Sequence, residues 1–180
     1  MFLHSNEIGD VIEGVRGLAE AAMEGGIRSV EMLYLGGNEI GPEGAAFLAA
    51  AFQKGASPFM KRLDLSDNHI KDGGAIGLAK AMEKGMFRSL VYLDLQKNLI
   101  GVPGGKALMV PLKQSAVPSL ENLDLSFNQL SVEGMRVLGE ASREGAFRSL
   151  QSLALARNHM GPQGGVAFAE SLTEKSFPSL

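Results

Sequence analysis

The stretch LDLSDNHI at residues 63–70 decides the fold, because variants of it recur along the chain. The related stretches are LYLGGNEI at 33–40, LDLQKNLI at 93–100, LDLSFNQL at 123–130 and LALARNHM at 153–160. Their asparagines recur every 30 residues, at Asn38, Asn68, Asn98, Asn128 and Asn158. A fixed period of about 20 to 50 residues is typical of an architecture in which structural repeats stack on one another. The sequence therefore predicts a solenoid.

Each repeat has two halves with different periodicities. Apolar and polar residues alternate around Leu63 and Leu65, which predicts a short strand with one buried face. In the second half, apolar residues follow the spacing of one helix face. One such set is Gly44, Ala45, Leu48, Ala51 and Phe52. Because every strand leads to a helix and then to the next strand, we expect an α/β solenoid with parallel strands on the concave face and helices on the convex face.

The ends of the predicted helices carry the expected residue types. Pro42 and Pro162 lie where a first helical turn would begin, and Gly25, Gly55 and Gly145 lie where a helix would stop. A column of glycines at a 30-residue interval also runs through the helical halves, where a side chain would hold the helix away from the sheet. Its members are Gly14, Gly44, Gly74, Gly104, Gly134 and Gly164.

The repeats predict a single domain over residues 1–180. An irregular leading unit covers about residues 1–30, and five 30-residue units follow it. The closing letters FPSL at 177–180 match the lead-in to another strand, so we expect the C-terminal end of the array to be uncapped. This leaves open whether the chain is a fragment of a longer one.

Composition excludes several classes of function. The 17 basic and 20 acidic side chains give a net charge of −3, and no basic stripe indicates a nucleic-acid surface. The longest apolar run, at 45–52, is far shorter than the roughly 20 residues that span a bilayer. Cysteine is absent, so disulfide and thiolate chemistry are excluded. We therefore expect a cytoplasmic protein that binds neither nucleic acid nor membrane.

The repeat resembles a known family. The strand-and-asparagine pattern, followed by a helical half, resembles leucine-rich repeats of the ribonuclease-inhibitor-like subclass, which the Ran GTPase-activating protein and NOD-like receptor families share. The resemblance covers essentially the whole chain. It implies a right-handed horseshoe that binds proteins through its strand-lined face and the adjoining loops.

Sites for catalysis, cofactors or metals are not indicated. The glycine-rich turn GVPGGKA at 101–107 lacks the Ser or Thr that follows the lysine of a phosphate-binding loop, and similar glycines recur in other units. His69 and His159 occupy the same loop position three units apart, roughly 15 Å, which is too far to share a metal. The sequence thus predicts a protein that is not an enzyme and has no cofactor or metal.

The side chains between the buried leucines are the candidates for recognition, because they vary while the framework stays constant. Three aspartates fall on successive predicted strands, and aromatic residues and arginine often dominate the energy of interfaces. The candidate partner-binding residues are Tyr34, Arg62, Asp64, Tyr92, Asp94, Asn122, Asp124 and Phe127. The carboxylates fit a basic patch on a partner protein, a cation, or simple solvation, and Arg62 could neutralise its acidic neighbours.

We expect a non-enzymatic interaction or scaffold module that binds a partner protein through the concave face. The first alternative is a Ran-type regulator that activates a GTPase, and the second is the ligand-sensing segment of a larger receptor. An exposed slice of hydrophobic core at an open end of the array would also favour end-to-end self-association.

Overall fold

A computed structural model of the chain describes residues 1–8 and 12–172, in which strands and helices alternate. The strands are β1 Met32–Tyr34, β2 Arg62–Asp64, β3 Tyr92–Asp94, β4 Asn122–Asp124 and β5 Ser152–Ala154. The helices are α1 Ile12–Met23, α2 Gly41–Gln53, α3 Lys71–Glu83, α4 Val102–Lys113, α5 Ser131–Arg143 and α6 Gly161–Ala169. Each 30-residue repeat thus supplies one strand and one helix, which confirms the predicted solenoid.

The strands form one open parallel sheet in the order β1-β2-β3-β4-β5. Leu33 pairs with Leu63, and Leu63 with Leu93, so equivalent residues of successive repeats lie side by side. Each strand has three residues, fewer than the alternation in the sequence suggests. Backbone pairing nevertheless continues beyond the strands, where the Leu65 N–H donates to the Asp94 carbonyl at 3.0 Å.

The core lies between the sheet and the helices. The leucines of β1 to β4 that point toward the helices are buried, and Leu153 of β5 is partly buried. Residues on the predicted faces of α2 and α3 are buried against them. The buried set from α2 is Gly44, Ala45, Leu48, Ala49, Ala51 and Phe52. Each helix also packs against its neighbours in sequence. Burial in every repeat therefore depends on the adjacent repeats, as expected for a solenoid.

The helix ends follow the predicted residue types. Pro42 and Pro162 lie in the first turns of α2 and α6. Gly25, Gly55 and Gly145 follow α1, α2 and α5 with φ of 96°, 80° and 84°, a conformation that glycine adopts without steric cost.

The glycine column permits close approach, but its nearest neighbours are in helices and loops. A Cβ on Gly74 would lie 2.7 Å from Cβ of Ala45 in α2 and 2.7 Å from Cβ of Ile70, which precedes α3. The column therefore sets the spacing between successive helices as well as the distance of each helix from the strand-end loop.

The two ends of the array differ in what the structure describes. Phe2 forms a parallel bridge with Tyr34, and the Asn6 N–H donates to Oδ1 of Asn38 at 2.8 Å, so the leading segment continues the backbone pattern of the repeats. The expectation of an uncapped C-terminal end concerns FPSL at 177–180, which lies outside the described residues.

Candidate interaction surface

The five repeat asparagines form a buried ladder beside the surface where recognition is expected. The Asn98 amide shows the pattern: its Nδ2 donates to the Leu65 carbonyl at 2.7 Å, and its Oδ1 accepts from the backbone N–H groups of Asn68 at 3.1 Å and Ile70 at 3.3 Å. Each asparagine therefore binds backbone groups of the preceding repeat. The ladder fixes the loops that flank the strand face and is itself inaccessible to a partner.

The carboxylate row consists of Asp64, Asp94 and Asp124, which the sheet register aligns on three adjacent strands. Each Oδ1 accepts a hydrogen bond from the backbone N–H two residues later, at 2.9 Å from Ser66, 2.9 Å from Gln96 and 2.7 Å from Ser126. The aspartates thus end their strands, a structural role that the sequence analysis missed. The sequence signal for this role is the aspartate at the end of β2, β3 and β4, because aspartate side chains often accept a hydrogen bond from the backbone two residues later.

The carboxylate row retains capacity for a ligand. Among the described residues, Oδ2 of Asp64 and of Asp124 accepts no hydrogen bond, whereas Oδ2 of Asp94 accepts one from the Tyr92 hydroxyl at 3.2 Å. All three side chains are half-buried. Oδ2 of Asp64 and of Asp124 therefore remains open as an acceptor.

Asp94 is the carboxylate whose electrostatics differ most from those of a free side chain. Burial raises the pKa of Asp94, the hydrogen bond from Gln96 lowers it, and the carboxylates of Asp64 and Asp124 raise it further. Burial, followed by the Asp94 charge, also raises the pKa of the Tyr92 hydroxyl to about 12. The centre of the row is thus a site where negative charge is poorly stabilised by the protein alone.

Replacing Asp94 with asparagine is expected to stabilise the fold near pH 7 by less than about 1 kcal/mol, because the new amide keeps an acceptor for Gln96 and removes a half-buried charge. Because the pKa of Asp94 is raised in the folded state, the parent is more stable when Asp94 is protonated at low pH, and it loses this stability as pH rises through the folded-state pKa. The gain in stability of Asp94→Asn over the parent should therefore shrink on acidification. Urea unfolding of both proteins between pH 3 and pH 8 measures this difference.

The matched control for that experiment is Asp67→Asn, because Asp67 is exposed and pairs with Lys97 at 3.4 Å. We expect this control to show no gain in stability near neutral pH. An advantage of Asp94→Asn that persists unchanged to pH 3 would contradict the assignment.

Arg62 contacts an aromatic ring on the neighbouring strand. Its guanidinium carbon lies 3.9 Å from the centroid of the Tyr92 ring, which is a close cation–π contact. No ion pair joins Arg62 to an aspartate within residues 1–8 and 12–172. The direct contact of Arg62 described here is thus with the Tyr92 ring, and neutralisation of its acidic neighbours stays a hypothesis. Asn122 lies beside Tyr92 on β4 and completes this second row of the face.

An apolar cluster, made up of Met1, Phe2, Met32 and Tyr34, occupies the N-terminal end of the strand face. The rings of Phe2 and Tyr34 stack with centroids 4.7 Å apart, and Phe2 is 69% exposed. Met32 is 47% exposed and its sulfur lies 3.9 Å from the Tyr34 hydroxyl oxygen. The strand face thus grades from an apolar end to an acidic centre.

Phe127 lies in the loop after β4 and is 45% exposed. It lines an open depression with Leu99, Arg157 and His159. The structure therefore places Phe127 in a different setting from the other candidates, which lie on the strands.

The glycine-rich turn at 101–107 is occupied by a side chain of the protein itself. Oδ1 of Asp72 accepts hydrogen bonds from the backbone N–H groups of Gly101 at 2.8 Å and Gly104 at 2.9 Å. Asp72 of α3 thereby caps α4, and these two donors are not free for a phosphate.

The described residues offer no site for a metal ion and no membrane-spanning helix. In the described part of the chain, no group of three or more His, Cys, Asp or Glu side chains is arranged to hold a metal ion. Within the same residues, no helix has the length and apolar character that crossing a bilayer requires.

The comparison with protein families gives repeated matches. The family described as "Leucine Rich repeat" matches residues 27–49, 56–79, 88–109, 118–139 and 148–169, which together exceed half of the chain. Each match begins before a strand and extends into the following helix. No curated protein matches the chain by sequence.

Two solved structures illustrate the similarity in fold. The tropomodulin C-terminal domain of Caenorhabditis elegans superposes with a TM-score of 0.62 at 16% identity, covering 90% of this chain and 92% of that domain. The structure described as leiomodin-1 actin-binding site 2 gives a TM-score of 0.61 at 17% identity, covering 88% of this chain and 86% of that one. At this identity the likeness concerns the fold alone.

Proposed function

The chain belongs to the leucine-rich repeat family, and on that premise we propose that it is a non-enzymatic protein-interaction module that binds a partner protein through its strand face. The observation that carries the proposal is the carboxylate row, whose Asp64 and Asp124 keep open acceptor oxygens at the centre of the face. A partner with a basic patch would supply the complementary charge.

The residues around the carboxylate row support a protein ligand over an ion. Tyr92 and Arg62 form a packed pair beside the row, and Tyr34 and Met32 offer apolar area at one end. Aromatic, methionine and arginine side chains are enriched at protein interfaces and often supply most of their binding energy. One solved structure of similar fold is described as an actin-binding site, which is a precedent for a protein ligand on this fold.

The test is quantitative affinity capture that compares two triple variants with the parent. Asp64→Asn, Asp94→Asn and Asp124→Asn together remove the carboxylate row and keep side-chain volume. Glu43→Gln, Glu83→Gln and Glu140→Gln together remove the same charge from exposed positions on the helices. Both variants should fold, since no substituted side chain is fully buried.

We expect proteins recovered by the parent to be reduced at least tenfold with the strand-face variant and unchanged with the helix variant, because loss of several interface charges weakens binding by more than about 1.4 kcal/mol. Tyr92→Ala should reduce recovery of the same proteins. Equal recovery by the parent and the strand-face variant would overturn the proposal.

A further inference from the structure

A second surface, which we call the loop groove, lies beyond the strand ends in the loops that follow β3, β4 and β5. It has a volume of about 480 Å³ and is lined by Leu99, Phe127, Asn128, Gln129, Arg157 and His159. Leu99 is 38% and Phe127 is 45% exposed, so both keep much of their apolar surface in water. The groove therefore combines apolar and basic side chains on one open surface.

The apolar residues of the loop groove are not required by the fold. The backbones of Leu99 and Phe127 have φ of 57° and 56°, a left-handed conformation that is unfavourable for bulky side chains. The position of Phe127 is occupied by Gly37 and Asp67 in earlier repeats, with φ of 66° and 53°. The same left-handed backbone recurs at Lys97 and Arg157, so it belongs to the repeat and does not require an aromatic side chain. The exposed ring of Phe127 is therefore available to a partner.

The loops of the groove are held together differently from the other loops. In other repeats the first residue of the helix donates its backbone N–H to the backbone carbonyl of the asparagine in the next repeat. The Lys71 N–H, for example, donates to the Asn98 carbonyl at 2.9 Å. Here the Gly101 N–H instead donates to Asp72, and the Gln129 N–H donates to the Ile100 carbonyl at 2.7 Å. This bond ties the loop of Leu99 to the loop of Phe127. The apolar part of the groove is therefore preorganised.

The basic residues of the groove lack partners within the described chain. The side chains of Arg157 and His159 make no ion pair or hydrogen bond there, and both are exposed. Two repeats earlier, Lys97 at the position equivalent to Arg157 pairs with Asp67 at 3.4 Å. Among the described residues that line the groove, none is acidic. Its charge thus favours a carboxylate, the opposite of the preference of the strand face.

We propose that the loop groove binds an acidic peptide segment of a partner protein, with one apolar side chain against Leu99 and Phe127 and an adjacent carboxylate on Arg157. The inference is independent of the strand-face proposal, since it concerns other residues and the opposite charge. The protein would then bind two segments of unlike charge on adjoining surfaces.

The test is an NMR titration of the isotope-labelled chain with the peptide Asp-Asp-Leu-Phe-Asp-Asp. The comparison peptides replace every Asp with Asn or with Lys. With the Asp peptide we expect saturable shifts of the backbone amides of residues 99, 127, 129, 157 and 159. The Asn peptide should bind at least fivefold more weakly, because the ion pair with Arg157 is lost.

Three variants of the full chain locate the binding. Phe127→Asn suits the left-handed backbone and removes the aromatic surface, and Arg157→Gln removes the charge. Each of these two variants should bind the Asp peptide at least fivefold more weakly than the parent. Lys97→Gln, which removes a charge from the same column outside the groove, should leave the dissociation constant within twofold. Equal binding of the Lys peptide, shifts confined to the strands, or full affinity in Arg157→Gln would overturn the proposal.

Discussion

Replacing Asn98 with alanine is expected to lower the free energy of unfolding by about 3 to 5 kcal/mol. The change leaves buried backbone N–H and C=O groups of two repeats without hydrogen-bond partners. Oδ1 of Asn98 accepts from the N–H groups of Asn68 and Ile70, and Nδ2 donates to the carbonyls of Leu65 and Gln96. The Asn98 side chain is fully buried, so water cannot replace these bonds without rearrangement. Each unsatisfied buried group costs about 1 to 3 kcal/mol.

The measurement for Asn98→Ala is urea unfolding followed by circular dichroism, with Asn122→Ala as the matched control. Asn122 is a half-buried asparagine of β4 on the strand face. Its side chain makes no hydrogen bond in the described part of the chain. We expect the control to change the stability by less than about 0.5 kcal/mol. Losses of similar size in both variants would show that the ladder contributes nothing specific.

The asparagine ladder also marks how far the sequence predicts the fold. The 30-residue interval of Asn68 and Asn98 is visible in the letters, and it implies stacked parallel strands without any knowledge of the contacts. Helix faces and helix ends follow from local spacing, as Pro42 and Gly55 illustrate. These features were predictable because each one arises from residues that are close in sequence or from strict repetition.

The candidate surface was predictable in position but not in its contacts. The register that aligns Asp64 with Asp94 follows from the repeat. The choice of Arg62 between a carboxylate and the Tyr92 ring depends on side-chain geometry across two strands, which no spacing encodes. The stacking of Phe2 on Tyr34 likewise requires the leading segment to pair with β1.

Core residues in the turns before the strands lie outside the strand and helix patterns that predict the rest of the core. Phe87 lies in the segment between α3 and β3 and is 1% exposed. Apolar residues recur at its position in three other repeats, at Ile27, Val117 and Phe147. The Phe87 ring contacts Phe52 of α2 edge-on, with centroids 5.1 Å apart at 64°. Phe59 lies in the turn of the preceding repeat, at the position equivalent to Ser89 and not to Phe87, and is 59% exposed. The difference in burial follows the position of each phenylalanine within the 30-residue repeat, which residue type alone does not reveal.

Phe87→Ala is therefore expected to lower the free energy of unfolding by about 3 to 5 kcal/mol, because it leaves a cavity between α2 and α3 and removes the edge-on contact with Phe52. Phe59→Ala makes the same chemical change on the surface and should alter the stability by less than about 0.5 kcal/mol. Urea unfolding of both variants measures the contrast. If Phe87→Ala lost no more than Phe59→Ala, the turn segment would not contribute to the core. A large loss confined to Phe87→Ala would show that packing in the turns, as well as the repeated leucines, holds successive repeats together.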